Sequence, residues 1–296
     1  MSLAAQAFLK RNHLPSSYLE TAKRWFEPLL QQFSNQYQPN NVPMILGING
    51  SQGSGKSTLA DYLCSIITER HAITAVSLSM DDFYLTRAER EHLAQTIHPL
   101  LRTRGVPGTH DVSLAIKTIE QLRAGLDTEI PRFDKSIDDR VTGSQVDKVS
   151  GPVGLIVFEG WCLGALPQTQ TELEDPINDL ERLEDDKGIW RQYINRALAT
   201  DYRELFTLID QTIMLRAPSF DTIFQWRWQQ EMKMIERLQD SDRSGVMTEE
   251  QVLRFIQYFQ RITEHSLEEM PRRSQHLFQL EADRQISDYQ QPKAQC

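Results

Sequence analysis

The sequence predicts an α/β fold built on a parallel sheet, with functional groups at the carboxyl ends of its strands. Three observations support this fold class. An apolar strand at residues 42–48 runs into a glycine-rich loop, and a helical pattern begins at Thr58. Two further apolar strands, at residues 73–79 and 152–158, are each followed within two residues by a carboxylate. Strands that alternate with helices are typical of parallel sheets, which bind ligands at their carboxyl edge.

The glycine-rich loop is a complete phosphate-binding loop, GxxxxGKS, at residues 50–57. Its glycines let successive backbone N–H groups point at an anion, and the following helix adds the positive end of its dipole. Lys56 is placed to reach the β- and γ-phosphates of a nucleotide, and the Ser57 hydroxyl to ligate Mg²⁺. A plain Gly/Ser-rich turn would not explain four matching positions and both flanking elements. The expected nucleotide-binding residues are Gly50, Ser51, Gln52, Gly53, Ser54, Gly55, Lys56, Ser57 and Thr58.

Composition restricts the classes of protein to which the chain can belong. Its 296 residues are 40% hydrophobic, enough for a packed core, and no apolar run has the length of a membrane span. The net charge of −9 argues against a nucleic-acid-binding protein. Cys64, Cys162 and Cys296 lack metal-ligand spacing and are expected to be reduced. We therefore expect a cytoplasmic protein that acts on a small molecule, with no nucleic-acid or membrane partner.

The remaining elements follow from apolar spacing and from Gly and Pro positions. Residues 1–40 show helical spacing, and we expect a helical extension packed on the core rather than a separate module. Residues 39–41 form a linker, and residues 41–296 form the phosphate-loop domain with its insertions. The strongly charged residues 172–187 are expected to be exposed. Further helices are expected from Thr86 and at residues 112–123, 189–206, 220–238 and 248–269, with strands at 211–215 and 277–280.

The carboxylates at the strand ends are candidates for chemistry. Asp81 and Asp82 follow the second strand, and Glu159 stands at the tip of the third. Near a bound nucleotide, one aspartate is placed to bind the hydration shell of Mg²⁺ or to accept a hydroxyl proton. The alternative is that the aspartates cap the next helix. The phosphate loop favours chemistry, and Glu159 is expected to serve Mg²⁺.

Two basic segments lie between these strands. A loop rich in Pro and Gly, residues 98–111, contains Arg102 and Arg104, and its last residue, Asp111, is expected to cap a helix. The two arginines are either solvated charges or ligands that hold a carboxylate or phosphate bidentately, and both alternatives stay open. The histidines of this loop lack metal-site spacing. Residues 130–140 begin a hairpin-like excursion that returns near Val146.

In this order, the phosphate loop and the Asp-Asp-Phe-Tyr, Pro-x-Phe-Asp and Phe-Glu-Gly segments resemble the phosphoribulokinase, uridine kinase and pantothenate kinase superfamily. The stretches at residues 79–85 and 104–111 narrow the resemblance to its D-glycerate 3-kinase group. The resemblance covers about residues 42–280. It implies a P-loop NTPase fold, a mononucleotide-kinase-like three-layer sandwich with a mobile lid. It also implies transfer of the γ-phosphoryl group of ATP, with Mg²⁺, to a hydroxyl, with D-glycerate as the expected acceptor and 3-phosphoglycerate as product.

The same resemblance implies roles for individual residues. Lys56, Asp81 and Glu159 would be catalytic, and Ser57, Asp81 and Glu159 would hold Mg²⁺. Either Asp81 or Asp82 would be the base. Arg227 would be the lid arginine that covers the phosphates. The acceptor side would comprise Asp82, Tyr84, Arg102, Arg104, Arg132, Lys135 and Arg140.

Two alternative functions stay open. The first is a kinase of the same superfamily that acts on a nucleoside, pantothenate or a sugar phosphate. The second is a P-loop NTPase that is not a kinase but a nucleotide-dependent switch. An acidic strand end beside a basic loop favours chemistry on a small molecule. The sequence does not indicate the oligomeric state.

Overall fold

The computed structural model describes residues 2–38, 42–141, 143, 146–237 and 247–291. The predicted linker at 39–41, the last residue of the helix predicted at 220–238, and Cys296 lie outside these residues. The strands are β1 Met44–Gly50, β2 Ala75–Ser79, β3 Thr128–Ile130, β4 Phe133–Asp134, β5 Asp139–Arg140, β6 Asp147–Val149, β7 Leu155–Gly160, β8 Gln211–Arg216, β9 His276–Leu280 and β10 Ile286–Gln290.

The centre of the fold is a six-stranded sheet with the order β10-β9-β8-β1-β7-β2. Every neighbouring pair is parallel except β10 with β9. Because β1 lies in the middle, the loop that follows it opens at the centre of the carboxyl edge. The helices are α1 Leu3–Arg11, α2 Tyr18–Trp25, α3 Glu27–Gln36, α4 Lys56–His71, α5 Arg87–Thr96, α6 Val112–Arg123, α7 Asp179–Glu184, α8 Ile189–Ala199, α9 Asp201–Thr207, α10 Phe220–Arg237 and α11 Glu249–Glu269.

Helices cover both faces of the sheet and make three layers. Side chains alternate along a strand, so Ile45 of β1 and Phe158 of β7 join a core with α6, α8, α9 and α11. Leu46 and Val157 point the other way and join a core with α1–α4 and the start of α10. This is the three-layer α/β arrangement that the sequence predicts. Among the described helices, none combines the length and the apolar character that a membrane crossing requires.

The N-terminal helices pack on α4 and on the sheet. The ring of Phe8 lies 5.4 Å from that of Tyr62, and Phe26 lies 5.5 Å from Phe278. Arg11 forms an ion pair of 2.7 Å with Asp61 of α4. These helices therefore share one hydrophobic core with the sheet, while the division of the chain at residue 40 stays a prediction.

The excursion after residue 130 is a pair of nested hairpins. Strand β3 pairs antiparallel with β6, and β4 pairs antiparallel with β5 inside that pair. We call residues 133–140 the inner hairpin. Asp111 caps α6 as expected, by accepting from Leu114 N, and Thr86 caps α5 with a capping box. The aspartates after β2 are therefore not needed as caps.

Three expectations about the elements were wrong in part. The helix expected at 189–206 is two helices, α8 and α9, with a break at Thr200, whose hydroxyl donates to Arg196 O. Strand β10 was not predicted. Its residues 286–290 are mostly polar, and three of the five are exposed at a sheet edge, so they lack the apolar signal of the inner strands.

The third error concerns the charged residues 172–187, which are not uniformly exposed. Glu181 is fully buried and pairs at 2.6 Å with Arg261 of α11. Asp185 is also buried and pairs at 3.0 Å with Arg191. A charge run is normally solvated, because ionised groups are costly to bury without a partner. Here the partners come from other helices, and one sequence does not show this pairing.

Replacing Glu181 with Ala is expected to lower the free energy of unfolding by about 3–5 kcal/mol, because it leaves the guanidinium of Arg261 buried and uncompensated. The measurement is urea denaturation followed by circular dichroism. Glu184→Ala is the matched control, since Glu184 lies on the same helix and pairs with Arg254 in an exposed ion pair. We expect it to cost about 1 kcal/mol or less. Equal losses for the two variants would contradict a special role for the buried pair.

Candidate active site

The loop between β1 and α4 has the backbone of an anion cradle. Gly53 and Gly55 have φ of 79° and 90°, a region that favours glycine. At Gly50 a Cβ would lie 2.5 Å from Ser54 Oγ, so the loop leaves no room for a side chain there. The buried hydroxyls of Ser51 and Ser54 have no hydrogen-bond partner within the described residues. The loop therefore keeps polar groups free for a ligand.

Glu159 is tied to the start of α4. Its position opposite Ile48 in the parallel register brings the carboxylate beside the phosphate loop. Ser57 Oγ donates to Glu159 Oε1 at 2.7 Å, and Lys56 Nζ lies 3.9 Å from Oε2. Oε2 is buried and has no hydrogen-bond partner among the described residues.

These groups fit a magnesium ion. Mg²⁺ prefers oxygen ligands, keeps several waters, and is usually bound through one or two carboxylates together with substrate phosphates. The Ser57 hydroxyl and the orphaned oxygen of Glu159 match that donor set. Within the described ranges, no group of three or more His, Cys, Asp or Glu side chains forms a metal site by itself. An ion held by these two oxygens would have coordination positions left for waters and for the phosphates of a nucleotide.

The two aspartates after β2 point to different partners. Asp81 accepts from Lys135 Nζ at 2.7 Å and from the Tyr84 hydroxyl at 2.8 Å. Asp82 accepts from Arg132 Nη1 at 2.6 Å and from the backbone N of Phe133 at 3.4 Å. Asp81 thus lies at the tip of the inner hairpin, and Asp82 at its base.

The electrostatic environments of these aspartates also differ. Burial by itself would raise the pKa of Asp81, but the charges of Lys135 and Lys56 and the two hydrogen bonds lower it to about 2. At Asp82 burial is stronger than the effect of Arg132, and the pKa is raised. Asp81 is therefore ionised throughout the neutral pH range and can accept a proton or bind a cation.

Two cavities meet at the phosphate loop. The first, of about 540 Å³, is lined by the loop and by the first turn of α4, and we call it the α4 cavity. The second, of about 660 Å³, is lined by Asp81, by Lys135 and by other residues around the inner hairpin, and we call it the hairpin cavity. Gly53, Lys56 and Gln230 line both. Two ligands, one in each cavity, would therefore lie next to each other at Lys56.

Most of the predicted site residues line these cavities. Those in the α4 cavity are Gly53, Ser54, Gly55, Lys56, Ser57 and Thr58. Those in the hairpin cavity are Gln52, Gly53, Lys56, Asp81, Tyr84, Arg102, Arg104, Lys135 and Arg227. Three residues predicted on the acceptor side, Asp82, Arg132 and Arg140, are not among the residues that line the hairpin cavity. Arg132 bridges Asp82 and Asp147, and Arg140 donates to Tyr84 O and to Asp111. Arg132 and Arg140 therefore connect the hairpins to the segment that follows β2 and to the start of α6.

The two arginines of the basic loop differ in orientation. The side chain of Arg102 is 63% exposed, and its Nε and Nη2 donate to the two carboxylate oxygens of Glu91 at 2.7 and 2.9 Å. Arg104 is 30% exposed, pairs with Asp138 and lies over the ring of Phe133 at 5.6 Å. The outward pair with Glu91 fits the solvated-charge alternative for Arg102, whereas the guanidinium of Arg104 stands among the groups of the cavity.

No family model matches the chain. The uncharacterized kinase mug58 of Schizosaccharomyces pombe is 35% identical over 244 residues, which are 79% of this chain and 84% of that protein. The chain belongs to the glycerate kinase-like group of P-loop kinases. The D-glycerate 3-kinase of the Arabidopsis thaliana chloroplast is 29% identical over 78% of this kinase, and the match spans 50% of the plant protein.

Solved structures confirm the predicted fold. The D-glycerate 3-kinase of Cryptococcus neoformans superposes on this kinase with a TM-score of 0.72 and 24% identity, covering 88% of this chain and 94% of that one. The likeness to the phosphoribulokinase and uridine kinase superfamily is likewise confirmed. This P-loop kinase is a phosphotransferase with an alcohol acceptor, and its relatives imply ATP and a small-molecule substrate. Membership of a kinase group leaves the switch alternative without support.

In this kinase Arg227 projects from α10 into the hairpin cavity. It pairs with the buried Glu231 one turn later and lies 5.6 Å from the ring of Phe255. Glu231 Oε2 also accepts from Met247 N. Arg227 and Gln52 of the phosphate loop both line the hairpin cavity. Its role as the lid arginine stays a prediction.

Several residues of the kinase site were missed by the sequence analysis. Arg90 of α5 is buried, pairs with Asp138 at 2.9 Å, and donates to the carbonyls of Leu85 and Arg102. Asp138 has φ of 56° at the turn of the inner hairpin. Arg284, in the turn between β9 and β10, donates to Gly53 O at 3.0 Å. A charged residue inside a helical pattern or a turn gives no signal of such distant partners.

Proposed function

We propose that this kinase transfers the γ-phosphoryl group of ATP to the terminal hydroxyl of D-glycerate and forms 3-phosphoglycerate. The observation that carries the proposal is the composition of the hairpin cavity. It combines an ionised carboxylate, Asp81, close to Lys56, with a guanidinium, Arg104, that stands in its lining. A small acid with a free hydroxyl complements this pair. The 29% identical plant D-glycerate 3-kinase supports the same acceptor.

The phosphate loop would hold the donor. Its amides and Lys56 would surround the β- and γ-phosphates, and a Mg²⁺ held by Ser57 and Glu159 would neutralise part of their charge. Because phosphoryl transfer needs little covalent help from the protein, positioning and charge stabilisation supply most of the rate. Lys56 lines both cavities, so it is placed where the transferred group passes from donor to acceptor.

Asp81 would orient the acceptor hydroxyl and take its proton. The hydrogen bonds from Tyr84 and Lys135 use one site on each carboxylate oxygen, and each oxygen keeps a further lone pair for the hydroxyl. Its low pKa makes it a weak base, which suits a transition state in which the proton leaves late and alignment matters most. The Asp81 position supports the base assignment better than Asp82, which lies at the hairpin base.

Arg104 would bind the carboxylate of the acceptor. Its Nη1 is paired with Asp138, and the guanidinium carries further N–H donors for a second carboxylate. Guanidinium matches carboxylate geometry bidentately, which fixes the acid end of the substrate and directs its far hydroxyl towards Asp81. A nucleoside or a neutral sugar would offer no carboxylate to the remaining N–H donors of this guanidinium.

The proposal is tested by ADP release from Mg-ATP with a panel of acceptors: D-glycerate, L-glycerate, uridine, pantothenate and ribulose 5-phosphate. Stimulation by D-glycerate alone is the expected result. Stimulation by another acceptor and not by D-glycerate would overturn the choice of substrate and keep the kinase assignment. The product is identified by NMR, in which phosphorylation at the terminal carbon separates 3-phosphoglycerate from its 2-isomer.

Arg104→Gln is expected to raise the KM for D-glycerate by about 10- to 100-fold, since a charge-assisted hydrogen bond contributes about 1.5–3 kcal/mol. Steady-state kinetics at saturating ATP measure this change. Arg102→Gln is the matched control, because that arginine is exposed and paired outward with Glu91. We expect its KM to stay within about twofold, as for other exposed ion pairs. A larger effect of Arg102→Gln would reverse the assignment of the two arginines.

A further inference from the structure

The α4 cavity has a wall that the phosphate-loop fold itself does not supply. On one side are the loop and the first turn of α4, including Thr58 and Leu59. On the other side are residues that precede β1 in the chain. These are Asn12, Leu14, Tyr18, Thr21 and Phe26. The wall therefore comes from the N-terminal helices, whose purpose the sequence does not explain.

This wall is held firmly against α4. Arg11 Nη2 and Asn12 Nδ2 both donate to the carboxylate of Asp61, at 2.7 and 2.5 Å. Phe8 is fully buried against Tyr62 of α4. Because these contacts fix the N-terminal helices to α4, the side chains of the wall keep fixed positions relative to the phosphate loop, as a binding surface requires.

The wall also presents polar groups without partners. Within the part of the chain that the structure describes, the Tyr18 hydroxyl and Thr21 Oγ1 donate to and accept from no protein group. Burial raises the pKa of Tyr18, so the hydroxyl stays protonated at neutral pH. Half-buried polar groups that face a cavity and lack a protein partner are available to a ligand.

The guanidinium of Arg284, in the turn between β9 and β10, also lines the α4 cavity. Arg284 donates to Gly53 O, and its guanidinium lies 5.3 Å from the centre of the Trp226 ring. Trp226 Nε1 in turn donates to Ala282 O at 2.7 Å, which ties the β9–β10 turn to α10. A guanidinium held in this way offers a flat surface on which an aromatic base can stack.

We infer that the α4 cavity is the nucleoside subsite, and that Tyr18, Thr21 and Arg284 contact the base and ribose of the bound nucleotide. When the phosphates lie on the loop, the nucleoside must leave it on one side. The hairpin cavity contains Asp81 and the acceptor groups, whereas the α4 cavity continues from Ser57 and Thr58 to the N-terminal wall. The N-terminal helices are thus part of the nucleotide site. This inference rests on the proposed function, which places the triphosphate on the loop.

The experiment compares two ligands by isothermal titration calorimetry in the presence of Mg²⁺. AMP-PNP carries a nucleoside, and inorganic tripolyphosphate carries only the phosphates. Tyr18→Ala is expected to weaken AMP-PNP binding about tenfold, the effect of losing one aromatic contact and one hydrogen bond. Binding of tripolyphosphate stays within about twofold, because its contacts are confined to the phosphate loop. Thr21→Val, which keeps the shape of the side chain, is the second variant and weakens AMP-PNP alone as well.

Leu3→Ala is the matched control on the N-terminal segment. Leu3 is 81% exposed on α1 and does not line the α4 cavity, so neither ligand should change. An equal loss for both ligands in Tyr18→Ala and Thr21→Val, or no loss for AMP-PNP in either, would overturn the nucleoside subsite. Failure of the proposed function gives a different result, since wild-type protein would then still bind both ligands, with the same response to Tyr18→Ala, while D-glycerate would not stimulate ADP release.

Discussion

Replacing Asp81 with Asn is expected to lower kcat by about 10²- to 10⁴-fold, the range for loss of a positioned general base. The amide keeps the shape of the side chain but accepts no proton from the acceptor hydroxyl. It also removes the charge that pairs with Lys135 at 2.7 Å and that lies in the field of Lys56. The measurement is steady-state ADP release at saturating ATP and D-glycerate. Because the pKa of Asp81 is about 2, wild-type kcat should show no acidic limb from this group between pH 5 and 8.

Asp82→Asn is the matched control for this prediction. Asp82 accepts from Arg132 and from Phe133 N and does not line the hairpin cavity. We expect it to lower kcat by about tenfold or less, through the placement of the hairpin, with a clear loss of thermal stability. If Asp82→Asn were the more damaging change to kcat, Asp82 and not Asp81 would be the base.

Replacing Lys56 with Met is expected to lower kcat by about 10²- to 10³-fold, the usual effect of removing one preorganised charge that stabilises the transition state. Lys56 is the cation that lines both cavities next to Gly53, and it lies 3.9 Å from Glu159. The KM for ATP is expected to rise as well, because the same ammonium contacts the ground-state phosphates. Both parameters are measured in the assay for ADP release.

Lys148→Met is the control, because Lys148 of β6 is exposed and pairs with Glu129 of β3 on the protein surface. Its kinetics should match those of wild type. Activity of Lys56→Met close to wild type would show that the phosphate loop is not the donor site and would remove the basis of the proposed function.

The strand, loop and helix that form the phosphate-binding part of the site could be predicted because their sequence signals are local. A strand, a glycine-rich loop and a helix follow one another within residues 44–71, and each pattern is complete in a short stretch. The acids at the ends of β2 and β7 could be placed beside the loop because parallel strands bring their carboxyl ends to one edge. The hydrogen bond from Ser57 to Glu159 is the direct result.

The part of the site proposed to bind the acceptor could be predicted only as a set of charged residues, without their ion-pair partners. Arg102 and Arg104 both line the hairpin cavity, but Arg102 is exposed and pairs with Glu91, whereas Arg104 is more buried and pairs with Asp138. Arg140, which is predicted on the acceptor side, forms an ion pair of 3.0 Å with Asp111. Opposite charges are common along the chain, and their spacing does not show which pairs meet, so the partners could not be chosen from the sequence.

By itself the sequence determined the fold class, the phosphate loop and the acids that accompany it, because periodicity and motif spacing act over a few residues. Only the tertiary structure decided how the surroundings of that loop are assembled. It buried Glu181 against Arg261, set Asp81 and Asp82 in different environments, and brought Tyr18 and Arg284 to one cavity. These contacts join residues far apart in the chain, and their free energy comes from burial and charge pairing that exist only when the core has formed.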